Sequence, residues 1–113
     1  MVSAFRILGE GQLSLTRFLL TTDRPVDLTD FRATCRHILA RADFRTDLFV
    51  FSNLSMDSLD YAGPRINEGS KGVLLGLGDA RRKLPSEFSG EPRRPVRDVA
   101  VFTDGALCVS GPA

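Results

Sequence analysis

Residues 63–78 read GPRINEGSKGVLLGLG and divide into two halves. Gly63, Pro64, Gly69 and Gly72 punctuate a polar half that carries Arg65, Asn67, Glu68, Ser70 and Lys71. Val73, Leu74, Leu75 and Leu77 make a short apolar run after it. The first half predicts a loop, either a plain surface connection or a segment facing a ligand, because glycine lets backbone come close to a partner. The second half predicts a strand.

Working backwards, Leu48-Phe49-Val50-Phe51 is fully apolar and rich in strand formers, so residues 47–52 read as a strand. Residues 13–22 read as another, with Phe18-Leu19-Leu20 continuous rather than alternating. That pattern fits a strand covered on both faces. Between them Leu28, Phe31, Cys35, Ile38, Leu39 and Ala42 recur at helical spacing, with Asp27 as the expected N-cap. Arg32, Arg36, His37 and Arg41 fall off that face and are expected in solvent. Strand, helix, strand implies a parallel pair joined by a right-handed crossover. Residues 55–61 suit a short helix capped by Ser55, and residues 1–12 suit an edge strand or an ordered arm.

Working forwards, residues 79–96 crowd Pro85, Pro92, Pro95 and five Arg or Lys into a basic stretch with Leu84 and Phe88 as its large apolar groups. This predicts a long loop, mobile or wrapped on a partner. In residues 97–110, Asp104-Gly105 between two apolar runs predicts a β-hairpin. The expected architecture is a single α/β domain over 1–113: an arm at 1–12, a core at 13–78 with a small mixed sheet and packed helices, the loop at 79–96 and the C-terminal hairpin.

Composition narrows the function. The 113 residues are 42% apolar with eight Phe and a net charge of +1. A near-neutral domain does not point to nucleic acid. No apolar run reaches the ~18 residues of a membrane span, and no signal layout opens the chain, so a cytoplasmic protein is expected. Cys35 and Cys108 are far apart and lack metal-ligand spacing, so two buried, reduced thiols are expected. One His and two distant Cys cannot build a zinc site. Gly69-Ser70-Lys71 has the wrong order for a phosphate loop, and Gly76-Leu77-Gly78 lacks the third glycine of a dinucleotide fingerprint. Asp57, Asp60, Glu68 and Asp79 form no acid–base pair legible from spacing. The residues alone describe an α/β domain with no catalytic constellation, and a stand-alone binding or interaction module is one reading of it.

The order of several short motifs adds a second reading. Gly11-Gln12, Thr16-Arg17-Phe18, Val26 to Phe31, Asp47 to Asn53, Met56 to Tyr61 and Gly69-Ser70-Lys71-Gly72 together resemble the C-terminal domain of UbiD-type decarboxylases, the family that includes 3-polyprenyl-4-hydroxybenzoate decarboxylase. The hairpin resembles the branch tied to menaquinone biosynthesis. The resemblance implies reversible, non-oxidative decarboxylation of aromatic or α,β-unsaturated acids. It implies prenylated FMN with manganese and potassium, a flavin–substrate adduct, and a glutamic acid that protonates the product. In the family those groups lie in a preceding split-barrel domain, which is expected to be this chain's partner. No catalytic residue is carried onto this chain, which alone is expected to bind no cofactor and to be inactive. What is carried over is one wall of the substrate pocket at Pro64, Arg65, Ile66 and Asn67, a glycine–lysine turn at Gly69, Ser70, Lys71 and Gly72, and contacts in a homo-oligomer. Arg65 and Asn67 replace hydrophobic residues of cinnamate-type members, which suits a more polar acid. A domain separated from its partner should also expose an apolar face.

Overall fold

The computed structural model describes residues 1–9, 16–55, 65 and 68–112. The expected helix at 55–61 lies almost wholly outside them, apart from Ser55. The chain forms two compact, interleaved units: Met1–Thr21 with Asp43–Leu75, and Thr22–Ala42 with Gly76–Ala113.

The first unit holds a helix, α1 (Val2–Gly9), and a three-stranded sheet of β1 (Phe18–Thr22), β2 (Leu48–Ser55) and β3 (Glu68–Gly76). The N-terminal stretch is thus helical, where an edge strand or arm was expected. Ala4 and Leu8 lie one turn apart and are buried against Val73, with Leu19, Phe49, Phe51 and Leu75 around them. A helix this short is held by such packing rather than by propensity. Phe5 adds an edge-on contact with Phe51 at 5.5 Å between centroids. The opposite face of the sheet follows by alternation and is apolar and open. Phe18 is 75% and Val50 62% exposed there, with Leu20 and Leu48 beside them.

The strand order is β1-β3-β2. The two strands flanking the long helix therefore do not pair with each other, as a simple crossover would have them do. β3 lies between them. Its buried positions alternate and then run on from Lys71 to Val73, and a strand so covered belongs at the centre. β2 runs antiparallel to it, with Leu48 opposite Leu74, Val50 opposite Gly72 and Ser55 opposite Glu68. The register shifts between Phe51 and Leu54, a bulge that bends the end of β2. Ser55 is the last residue of this strand. Asp43 and Asp47 build the turn leading in: the Asp43 N–H donates to Asp47 Oδ2 at 2.8 Å, and the Asp47 carbonyl accepts from Leu75 N–H at 2.9 Å.

The second unit holds α2 (Phe31–Leu39) and a hairpin of β4 (Asp98–Thr103) and β5 (Ala106–Ser110). The helix starts later than its apolar spacing predicts. Asp30, not Asp27, is the cap, accepting from Ala33 N–H at 3.0 Å. Asp27 instead accepts from the Thr29 N–H at 2.9 Å and hydroxyl at 2.6 Å, closing a turn ahead of the helix. Ile38 and Ala42 are buried as expected, but Leu28 is 83% exposed. Phe31 is instead turned toward Phe102, at 6.1 Å between centroids, and Arg32 lies over the same ring at 5.2 Å. The Thr103 hydroxyl donates to the Arg32 carbonyl.

The stretch between β3 and β4 has no helix or strand, yet it is fastened at several points. Arg81 N–H donates to the Ala40 carbonyl at 2.8 Å, and the Arg82 guanidinium reaches the Ala42 carbonyl. The Pro85 carbonyl accepts from Gly105 N–H at 2.9 Å. Phe88 lines a shallow hollow with Pro85, Val101 and Leu107. The two cysteines are free and less buried than expected: Cys35 is half-buried and Cys108 exposed.

The hairpin turn is Asp104-Gly105, with Gly105 at φ 78°. A Cβ there would lie 2.8 Å from Leu84 Cδ2. Gly105→Ala will therefore lower stability by about 1–2 kcal/mol through the left-handed backbone alone, with more lost to Leu84. Urea denaturation of Gly105→Ala, and of the same change with Leu84→Ala, separates the two effects. Equal losses in both would show that Leu84 does not press on the turn.

Candidate functional site

The residues expected to form a glycine–lysine turn are part of β3. Gly69, Ser70, Lys71 and Gly72 all lie in the extended strand, paired with β2. The physical reason is in their surroundings. Glu68 and Ser70 are exposed and Gly69 and Lys71 buried, the alternation of a strand. The Phe18 ring lies over Gly72, where a Cβ would come within 2.9 Å of it. Here glycine makes room for an aromatic side chain. Lys71 is only 4% exposed, and its Nζ donates to the Leu8 carbonyl at 2.7 Å. That carbonyl ends α1, where the helix dipole favours a cation.

The chain reversal lies earlier. Arg65 and Glu68 form an isolated bridge, and Glu68 N–H donates to the Arg65 carbonyl at 3.2 Å. Arg65 is exposed. Because β3 is antiparallel to β2, Glu68 sits opposite Ser55, so the reversal lies at the carboxyl end of β2. Ligands of open α/β sheets gather at carboxyl ends of strands. Pro64, Ile66 and Asn67, and the carboxylates Asp57 and Asp60, lie outside the described residues.

A second cluster escaped the helical-wheel reading. His37 was expected in solvent but is half-buried, and its Nε2 shares a hydrogen bond with the Thr22 hydroxyl at 3.0 Å. Arg41 is likewise engaged, donating through Nε to the Gly78 carbonyl at 3.0 Å and through Nη1 to the His37 carbonyl at 2.9 Å. Asp23 Oδ2 accepts from Gly78 N–H at 2.8 Å, a bond that holds its carboxyl below the usual range. Arg24 and Asp79 form an ion pair at 2.5 Å, but Asp79 is 93% exposed and the pair adds little stability. This cluster fastens the chain on either side of Gly78 and commits its polar atoms to one another. No periodic signal marks it, because its members come from three separate segments.

Partial burial holds His37 below its ordinary value of 6.5, Arg41 and Arg24 push the same way, and Asp23 opposes them. A depressed histidine contributes stability that is complete above about pH 6.5 and is lost as pH falls through the folded value. Denaturation midpoints will fall between about pH 7 and pH 5, and His37→Gln will flatten that fall. An unchanged slope in the variant would remove His37 from the account. Lys71→Ala will cost about 2–4 kcal/mol, a buried long side chain plus an orphaned carbonyl. Lys71→Met, which refills the space, will recover about half of it. Equal losses measured in urea would show that packing contributes nothing.

Comparison with known proteins shows the family and the fold. Residues 2–76 match the family model described as the 3-octaprenyl-4-hydroxybenzoate carboxy-lyase C-terminal domain. A protein of Chlamydia pneumoniae, named as one of the subunits of a 4-hydroxybenzoate decarboxylase, is 47% identical over 107 residues, which is 95% of this chain and 18% of that protein. An uncharacterised protein of Aeropyrum pernix is 35% identical over 85 residues, 75% of this chain and 17% of that one. Among solved structures, the vanillic acid decarboxylase of Sedimentibacter hydroxybenzoicus in open form superposes with a TM-score of 0.60 at 15% identity, covering 81% of this chain and 20% of that one. The UbiD-class enzyme HmfF from Pelotomaculum thermopropionicum, in complex with FMN, gives 0.54 at 17% identity, covering 83% of this chain and 19% of that one. These structures share the fold, and the chain spans less than a fifth of the length of the curated relatives it matches. No helix among the described residues is long and apolar enough to cross a membrane. With the family model covering residues 2–76, this chain belongs to the family of UbiD carboxy-lyase C-terminal domains.

Proposed function

We propose that this chain serves as the C-terminal domain of a non-oxidative decarboxylase of aromatic or unsaturated acids, acting together with a flavin-bearing catalytic domain. Its part is to bind and orient. The 65–68 reversal forms one wall of the substrate pocket, and the Arg65 guanidinium pairs with the carboxylate or a ring hydroxyl of a polar acid. The observation that carries this reading is the antiparallel pairing of β2 and β3, which sets the Arg65–Glu68 reversal at the carboxyl end of β2. The family membership of residues 2–76 supports the reaction class. The open apolar sheet face around Phe18 and Val50 supports a partner domain.

Among the described residues no three His, Cys, Asp or Glu side chains come together to hold a metal ion. We assign the cofactor chemistry, including prenylated FMN and manganese, to the remainder of the longer protein. This chain's residues then position the acid and exclude water from one side.

The test joins this chain to the catalytic part of a chlamydial relative in place of that protein's own C-terminal domain. The hybrid will release carbon dioxide from 4-hydroxybenzoate, and the chain alone will not. Arg65→Leu in the hybrid will lower kcat/KM by about 10- to 150-fold, the value of one charge-assisted hydrogen bond of about 1.5–3 kcal/mol. Turnover by the isolated chain, or an indifferent Arg65→Leu, would overturn the assignment.

A further inference from the structure

Gly78, just past the end of β3, is gripped from two sides. Its N–H donates to Asp23 Oδ2 at 2.8 Å, and its carbonyl accepts from Arg41 Nε at 3.0 Å. Asp23 follows β1 and Arg41 follows α2, so two separate segments hold one residue. His37 touches both arms of this grip. Its carbonyl accepts from Arg41 Nη1 at 2.9 Å, and its Nε2 lies 3.0 Å from the hydroxyl of Thr22, the residue before Asp23. The chain has one histidine, so this is the one side chain whose ordinary titration falls between about pH 5 and pH 8.

The Thr22 hydroxyl has a single proton and two acceptors within reach. It accepts from Arg24 N–H at 3.2 Å, and it lies 3.2 Å from the Arg24 carbonyl and 3.0 Å from the imidazole. A neutral ring with Nε2 bare takes the hydroxyl proton. A protonated ring donates at Nε2 instead, and the hydroxyl turns its own proton to the Arg24 carbonyl. The added proton comes from solvent, and no bond between heavy atoms changes.

We propose that a proton on His37 opens the grip on Gly78, so that this cluster is a pH-operated clasp at the exit of β3. The charged groups facing the ring set the direction. Arg41, just past its own helix, and Arg24, beyond β1, are cations, and Asp23 is the carboxylate that faces it. Asp79, from the segment that carries Gly78, is paired with Arg24. An imidazolium repels Arg41 from the Gly78 carbonyl and draws Asp23 from the Gly78 N–H, so both bonds weaken together. Asp23 is still ionised at that point, because the Gly78 bond holds its carboxyl below the usual range. Partial burial, Arg41 and Arg24 hold the ring below its ordinary value, which keeps the clasp shut at neutral pH. The clasp lies within the second unit and does not depend on the decarboxylase assignment.

Nuclear magnetic resonance of the isotope-labelled 113-residue chain tests both the proton's place and its effect. Above about pH 7 the His37 ring will carry its proton on Nδ1 with Nε2 bare, and Thr22→Val will release that tautomer. Between about pH 7.5 and about pH 5.5, protection of the Gly78 amide against exchange, corrected for the intrinsic rate, will fall about fivefold, the effect of one lost hydrogen bond. The Gly105 amide, bonded to the Pro85 carbonyl in the same unit, will change by less than Gly78. His37→Gln, which keeps a polar group beside Thr22, will hold Gly78 protection level across the same range. A proton on Nε2 at neutral pH, Gly78 protection that ignores pH, equal falls at Gly78 and Gly105, or an undiminished fall in His37→Gln would overturn the proposal.

Discussion

A buried ammonium bound to a helix-ending carbonyl organises the first unit. Lys71 sits in the central strand among apolar neighbours, and its hydrogen bond to Leu8 crosses from sheet to helix. A charge out of water is tolerated only when it is paired and hydrogen-bonded. The last carbonyls of α1 are among those a helix leaves unsatisfied. The Leu8 carbonyl is one group that meets this need, and the bond ties the C-terminal end of α1 to β3 at Lys71. Ala4 and Leu8 then reach Val73. This polar contact adds orientation to the apolar packing of the unit.

The parts of the fold that were legible in the sequence are those set by neighbours along the chain. Asp104-Gly105 marks its hairpin because two adjacent residues decide the turn. The apolar repeat of α2 is also local, though its start is not: Asp27 and Asp30 are both good caps, and the Thr29 hydrogen bonds take Asp27 out of the helix. α1 was missed because a helix of eight residues is too short for its period to stand out, and its support comes from Val73 far along the chain. Gly69 to Gly72 imitated a turn by composition. Only the Phe18 ring over Gly72 and the Leu8 carbonyl beside Lys71 reveal these residues as a strand. His37 was misplaced because the helical wheel measures distance from one apolar face and knows nothing of Thr22.

The same limit applies to the candidate pocket wall. Whether a loop reaches the carboxyl edge of a sheet depends on strand direction, which no local pattern encodes. Once β3 is known to run against β2, the Arg65–Glu68 reversal falls at that edge. The family match ends at residue 76, while the relatives' similarity extends further into the segment that carries the hairpin. The two halves of the chain therefore carry different kinds of information. Residues 2–76 carry the family match, and residues 98–110 carry the hairpin.

The interleaving of the two units has a consequence for the order in which the chain becomes structured. The first unit has all its parts once Leu75 has been made, whereas the second begins at Thr22 and is complete only with the hairpin. Phe31 must wait for Phe102, about 70 residues later, which at about 5–20 residues per second of synthesis is roughly 4–14 s. During that interval α2 carries Ile38 and Phe31 without the hairpin meant to meet it. From Leu75 to Phe102 the growing chain thus has every strand of the first unit's sheet but not yet the hairpin that α2 meets.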